Sequence, residues 1–149
     1  MSVIGIAGLP GSGKSRLMDR LQSGGYSRYN DINRDWCGNL SKIQAEVKQG
    51  KRVAISDIMF CYESWRRRLE RELGMPVQWI FLENNWWQCA RNCLYRFLFE
   101  KPYRPLMREI IKLLLLSARY APYGDIRAAA QAHTAQIFHF TNALHVSDD

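Results

Sequence analysis

The sequence predicts an α/β protein, a central parallel sheet with helices on both faces and a helical lid. Two observations predict it. Short apolar runs of strand length alternate with longer runs of helical spacing, the pattern of successive strand–helix–strand units. The first such strand is joined to the first helix by Gly8-Leu9-Pro10-Gly11-Ser12-Gly13-Lys14-Ser15. That stretch fits G-x-x-x-x-G-K-[S/T] without a mismatch. Strand, glycine loop and helix in that order is the context that makes the pattern a phosphate site.

Physical chemistry accounts for the residue types. Glycine at 8, 11 and 13 permits backbone angles that a Cβ would forbid. Successive N–H groups then turn inward into an anion-binding concavity, and the following helix adds its positive N-terminal end. Lys14 reaches β- and γ-phosphates, and the Ser15 hydroxyl is a Mg²⁺ ligand. Ser12 within the loop and Arg16 in the first helical turn complete the expected nucleotide-binding set. The fold expected is therefore the three-layer P-loop NTPase fold, with this loop as its Walker A motif.

The elements follow in order. Val3-Ile4-Gly5-Ile6-Ala7 reads as a buried strand, and Lys14 to Leu21 as a helix closed by Gly24-Gly25. Tyr26 to about Ile32 reads as a short, polar second strand. Ser41-Lys42-Ile43-Gln44 has the form of a capping box, so a helix is expected from there to Gln49, stopped at Gly50. Val53 to Ser56 is an apolar strand with Asp57 at its carboxyl end. A helix from Glu63 to Leu73 carries Trp65, Leu69 and Leu73 as its inward stripe, and Gly74 and Pro76 end it. Val77 to Leu82 is the next strand. Asn84 or Asn85 caps a long helix to about Phe99, with Trp86, Cys89, Cys93 and Phe97 on one face. Pro102 and Pro105 interrupt the chain, and a second apolar helix starts near Leu106 and breaks at Pro122 and Gly124. Asp125 to Gln136 is expected as helix and Ile137 to Phe140 as a final strand.

Composition sets bounds on function. A chain of 149 residues is expected to form one domain, with the lid at about 86–122. Lys and Arg total 21 against 14 acids, a net charge of +7 that suits phosphate-bearing partners. The four cysteines, at 37, 61, 89 and 93, form no C-x-x-C pair, which speaks against a metal cluster or a disulfide framework. The expected setting is a reduced, cytoplasmic one. The longest apolar stretch, near Leu113-Leu114-Leu115-Leu116, is too short to span a bilayer, so no membrane partner is expected.

Three further features converge where such sheets bind ligands, beyond the strand carboxyl ends. Asp57 can hold the Mg²⁺ shell or its waters, as a Walker B acid does. The cluster Asn30-Asp31-Ile32-Asn33-Arg34-Asp35 offers two carboxylates, Asp31 and Asp35, to take the proton of an attacking hydroxyl. Arg91 and Arg96 on the long helix can neutralise charge on a transferring phosphoryl group, and Arg104 lies in a loop that can act as a lid. The run Arg66-Arg67-Arg68 with Arg71 is spaced for ion pairs with Glu63 and Glu72 and reads as a solvent-exposed face.

The order of these segments resembles the kinase domain of phage-type polynucleotide 5′-hydroxyl kinase. It runs from the phosphate loop through Ile32-Asn33-Arg34-Asp35 and Ile55-Ser56-Asp57 to Cys-x-x-Arg-Asn-x-x-x-x-Arg over Cys89 to Arg96. The resemblance covers about Ile4 to Tyr123. It implies ATP as donor, Mg²⁺ as cofactor, Asp35 as the general base, and Asp57 near the acceptor or the metal shell. It also implies a lid helix carrying Arg91 and Arg96, either of which is the one that meets the phosphates, and the lid's end at Arg119-Tyr120 before Pro122. Two departures stand out. Gly38 occupies the position where the family has an arginine that grips a phosphate of the acceptor. The phosphatase domain that follows in the phage enzyme has no counterpart among these residues, so kinase activity alone is expected.

Three functional readings follow. The leading one is an ATP-dependent kinase acting on a 5′-hydroxyl nucleic acid end or a nucleotide. The second is a kinase of a small acceptor, a nucleoside, sugar or antibiotic. The third is a nucleotide-binding module without turnover. The sequence leaves the oligomeric state open.

Overall fold

Each strand of the sheet presents alternate residues to opposite faces, and both faces are apolar, as a parallel sheet covered on two sides requires. The computed structural model describes residues 2–82, 86–100 and 137–138. Within them, β1 (Val3–Ala7) leads through the glycine loop to α1 (Lys14–Ser23). The chain continues through β2 (Tyr26–Asn30), a 3₁₀ turn at Ile32–Asp35, α2 (Trp36–Lys48) and β3 (Arg52–Ser56). A second 3₁₀ turn at Ile58–Cys61 precedes α3 (Glu63–Leu73) and β4 (Gln78–Leu82). Then come α4 (Trp86–Tyr95), a π-helical turn at Arg96–Glu100, and β5 (Ile137–Phe138).

The sheet order is β2-β3-β1-β4-β5, and every pairing is parallel. One face of the sheet, with Val3, Val53, Ile55, Trp79 and Phe81, packs on α2 and α3 through Ile43 and Leu69. The other face, with Ile4, Ile6, Ala54 and Ile80, packs on Leu17 and Met18 of α1. That gives the three layers. Gly5 and Trp79 are paired in register on adjacent strands, and a Cβ on Gly5 would run into the Trp79 ring. The small residue lets the indole lie flat on the sheet. There it meets Phe60 edge-on at 5.1 Å and donates its N–H to Glu70 at 2.8 Å.

Differences from the sequence-based expectation are local. The second strand ends at Asn30 because Asp31, whose N–H still reaches the Ser56 carbonyl of β3 at 2.9 Å, takes a left-handed conformation (φ 50°). The second helix starts at Trp36, not at Ser41. Asp35 is its cap, and Ser41 lies inside it with its hydroxyl turned back to the Cys37 carbonyl. Arg66 is 7 % exposed, not on the solvent face of the basic run. Its guanidinium donates to the carbonyls of Phe60 and Cys61 at 2.7 and 3.1 Å and lies 5.1 Å from the Phe81 ring centre. Arg67 and Arg68 do form the expected pairs with Glu63 and Glu72.

The expected strand at Ile137 is present as β5, paired with β4. The helices expected from Leu106 and from Asp125, the loop with Arg104, the Arg119-Tyr120 segment and the lid beyond residue 100 lie outside the described residues. Among the described residues, no helix is long and apolar enough to cross a membrane.

Candidate functional site

All the strand carboxyl ends lie along one edge, and the candidate groups gather there. The phosphate loop leaves β1 at Gly8 and turns sharply. The Ser12 N–H donates to the Leu9 carbonyl at 3.1 Å, and Gly11 takes φ 78°. Proline before a glycine of positive φ is the signature of a type II turn. Gly13, at φ 91°, is the residue before α1. A Cβ there would meet no neighbour, so it is the backbone angle, not crowding, that calls for glycine. The first turn of α1 carries no acid, so its positive end remains available to an anion. The Lys14 ammonium lies over the loop and donates to the carbonyls of Gly8 and Leu9 at 2.7 and 2.8 Å. Ser12 is buried, and Ser15 and Arg16 are exposed in the first turn of α1.

Asp57 follows the end of β3, whose Ser56 is in register with Ile6 one strand over. It is 3 % exposed, and both carboxylate oxygens are engaged by backbone. Oδ1 accepts the Met59 N–H at 2.8 Å and so caps the 3₁₀ turn. Oδ2 accepts the Asn33 N–H at 2.9 Å. Asp57 thereby ties the segment that carries Asp31 and Asp35 to the strand beside the phosphate loop. Each oxygen keeps a lone pair for a further donor.

Asp31 and Asp35 are both exposed at this edge. Asp31 pairs with Arg34 at 3.5 Å. Asp35 caps α2 by accepting the Gly38 N–H at 3.1 Å. The next residue, Trp36, is fixed from the other side. Its indole donates to Glu72 at 2.8 Å, and Arg68 binds the same carboxylate at 2.6 Å while its guanidinium lies over Trp36 and Trp65. The bond to Arg68, then the one to Trp36, hold the Glu72 carboxyl below the usual carboxylate range. The start of α2, and with it Asp35, is thus docked to α3.

The helix α4 closes the far side of the loop. Arg91 is exposed on it, and Arg96 is the first residue of the π-helical turn that extends it. Asn92, between them, faces the loop and donates to the Gly11 carbonyl at 2.8 Å. Thiols also border the loop. Burial pushes Cys61 up to about 12, opposed by the Lys14 ammonium and a hydrogen bond with the Gly8 backbone. Burial and the neighbouring Cys93 push Cys89 up to about 12 as well.

Gly8, Gly11, Ser12 and Gly13 shape the loop, Lys14 lies over it, and Ser15 and Arg16 follow in the first turn of α1, with Asp57 anchored on the adjacent strand and Asp35 on the segment that Asp57 holds. Arg91 lies on the helix that backs the loop. The spacing left Asn92, off the stripe of Trp86, Cys89 and Cys93, to face either outward or the site, and it faces the site. Sequence reasoning gave Arg66 and Cys61 no role beside the loop, although Arg66 lies three residues before Leu69 on the buried side of α3.

No protein-family model matches the chain, and no curated protein matches it in sequence. Solved structures do match. A gluconokinase from Sinorhizobium meliloti 1021 aligns with a TM-score of 0.54 and 18% identity, covering 85% of this chain and 79% of that one. A shikimate kinase from Acinetobacter baumannii, solved with shikimate, gives 0.46 and 12% over 89% and 90% of the two chains. Kti12 from Chaetomium thermophilum, solved with ADP-AlF3, gives 0.43 and 17% over 74% and 79%. With the sheet order and the phosphate loop, the gluconokinase likeness gives the fold: this chain has the α/β P-loop NTPase fold.

Proposed function

We propose that this chain is a kinase that moves the γ-phosphate of ATP to a hydroxyl group. What supports the reading best is the convergence of a complete phosphate loop, with Lys14 folded over it, and the exposed carboxylate of Asp35, on a segment tied by Asp57 to the adjacent strand. In this reading the loop amides from Gly13 to Ser15 and the Lys14 ammonium hold the β- and γ-phosphates, with Arg16 beside them. Asp35 takes the proton of the attacking hydroxyl. The acceptor oxygen bonds to the γ-phosphorus as the bond to the β,γ-bridging oxygen breaks, and ADP leaves. Arg91 or Arg96 neutralises charge on the transferring group.

The donor set fits Mg²⁺. The Ser15 hydroxyl, in the first turn of α1, and the Asp57 carboxylate, at the end of the strand beside the phosphate loop, are hard oxygen donors. Ser15 would hold the ion directly, and Asp57, with both oxygens already engaged by amides, through water. The ion would supply charge neutralisation between the β- and γ-oxygens.

The proposed acceptor is a 5′-hydroxyl nucleic acid end or a nucleotide. The Ile32–Asp35 and Cys89–Arg96 segments support it. A small hydroxyl acceptor is the second reading, and Gly38 favours it: the residue that seats Asp35 has no side chain with which to grip an acceptor phosphate. The fold is also one that a gluconokinase uses.

The test is transfer of label from γ-labelled ATP with Mg²⁺ to a panel of acceptors, with Asp35→Asn as control. The panel holds 5′-hydroxyl DNA and RNA oligonucleotides, nucleotides, nucleosides and simple sugars. Label on oligonucleotide ends or nucleotides, absent in the control, supports the leading reading. Label on nucleosides or sugars alone selects the second. Nucleotide binding with label moving nowhere leaves a binding module.

A further inference from the structure

We propose that Asn92 is a positioning residue that ties α4 to the phosphate loop, so that occupation of the loop also orders the helix carrying the lid arginines. The inference rests on the nucleotide-site reading above.

The join is made by three residues of one α4 turn. The Asn92 amide donates to the Gly11 carbonyl at 2.8 Å across 81 positions of sequence. The carbonyl of Cys89 and the thiol of Cys93 close on Gly11 so tightly that a Cβ there would collide with the former and crowd the latter. Cys89 has no exposure and shares a small apolar cluster with Leu9, with Ile58, Tyr62 and Ala90 packed against it. The tip of the loop, Leu9 to Gly11, is thus covered by α4.

The Gly11 carbonyl and the Ser12 N–H belong to one planar peptide unit, so fixing the carbonyl fixes the plane. That plane closes the turn that shapes the rest of the loop, since the Ser12 N–H meets the Leu9 carbonyl. A ligand that prefers this loop shape must also favour the α4 position that maintains it, because two coupled states shift together. Arg91 adjoins Asn92 on α4, and Arg96 opens the π-helical turn that extends it, so both follow the helix.

Hydrogen–deuterium exchange with ADP and Mg²⁺ tests this without any acceptor or turnover. In the wild-type protein, ADP should slow exchange both in the loop and in α4. In Asn92→Ala and in the isosteric Asn92→Asp, loop protection should persist while α4 protection is lost, and ADP affinity should fall about tenfold. Melting without nucleotide checks that the variants fold, and Asn92→Asp carries the test if the alanine variant does not. Wild-type protection confined to the loop, or α4 protection unchanged in the variants, overturns the coupling and leaves the nucleotide site standing. ADP that protects nothing overturns both.

Discussion

The Asp35 carboxylate rests on the backbone of Gly38: its Oδ1 accepts the Gly38 N–H at 3.1 Å, and a Cβ at position 38 would collide with the carboxylate. The proposed general base is therefore also the cap of α2, and the missing side chain is what gives it room. In Gly38→Ala, loss of the cap costs about 1 kcal/mol. Alanine in place of glycine inside a helix returns about 1 kcal/mol. Stability should stay nearly level while the carboxylate is displaced. The expected result is an unchanged melting temperature with kcat reduced at least about tenfold for a displaced base. A variant with full kcat would show that the carboxylate need not sit at the cap.

Asp57 leads to a second prediction, because each of its oxygens takes a different backbone N–H, from Asn33 and from Met59. An asparagine offers one oxygen and one amide nitrogen. In Asp57→Asn one buried N–H must therefore face another donor, at a cost of about 1–3 kcal/mol. The Asn33–Asp35 segment should loosen, and the half-saturating Mg²⁺ concentration should rise. A melting curve and a Mg²⁺ titration of turnover separate the two effects. Lower stability with an unchanged Mg²⁺ requirement would confine Asp57 to the anchoring role.

Where local pattern decided the structure, the sequence was legible. The phosphate loop and α3 fall where their residues put them, the helix ending as Gly74 takes φ 67°. The start of α2 was not legible in the same way. Asp35 and Ser41 both suit a cap, and contacts from distant residues decide between them: the Trp36 indole on Glu72 and the Gln44 amide on the Glu72 carbonyl. The Asn92–Gly11 contact joins two ends of the described chain, which no local window spans.

Arg66 and Arg67 are neighbours in the same charge run, and the structure gives them opposite roles. Arg66 satisfies two carbonyls from the buried side, whereas Arg67 makes an exposed pair with Glu63. Arg66→Leu leaves the Phe60 carbonyl without its donor and should cost about 1–3 kcal/mol. Arg67→Ala should change stability by less than about 1 kcal/mol. Urea denaturation of both variants is the measurement. Equal midpoints would mean that burial does not distinguish the two arginines.

The thiols beside the phosphate loop make the last prediction. Burial pushes Cys61 and Cys89 up to about 12, while Cys37 is exposed. The thiolate is the reacting form, so at pH 8 iodoacetamide should label Cys37 and leave Cys61 and Cys89 untouched until the protein unfolds. The same shift gives stability a sign. An unfolded thiol titrates at about 8.5, below the folded value, so the unfolded chain loses its protons first. The stabilisation from Cys61 and Cys89 is complete below that pH and is lost as pH climbs toward the folded value. Unfolding midpoints of the wild-type protein should therefore fall from pH 8 to pH 10 more steeply than those of a Cys61→Ala, Cys89→Ala double variant. Parallel pH dependence of the two proteins, or alkylation of Cys61 at the rate of Cys37, would show that these thiols ionise as readily folded as unfolded.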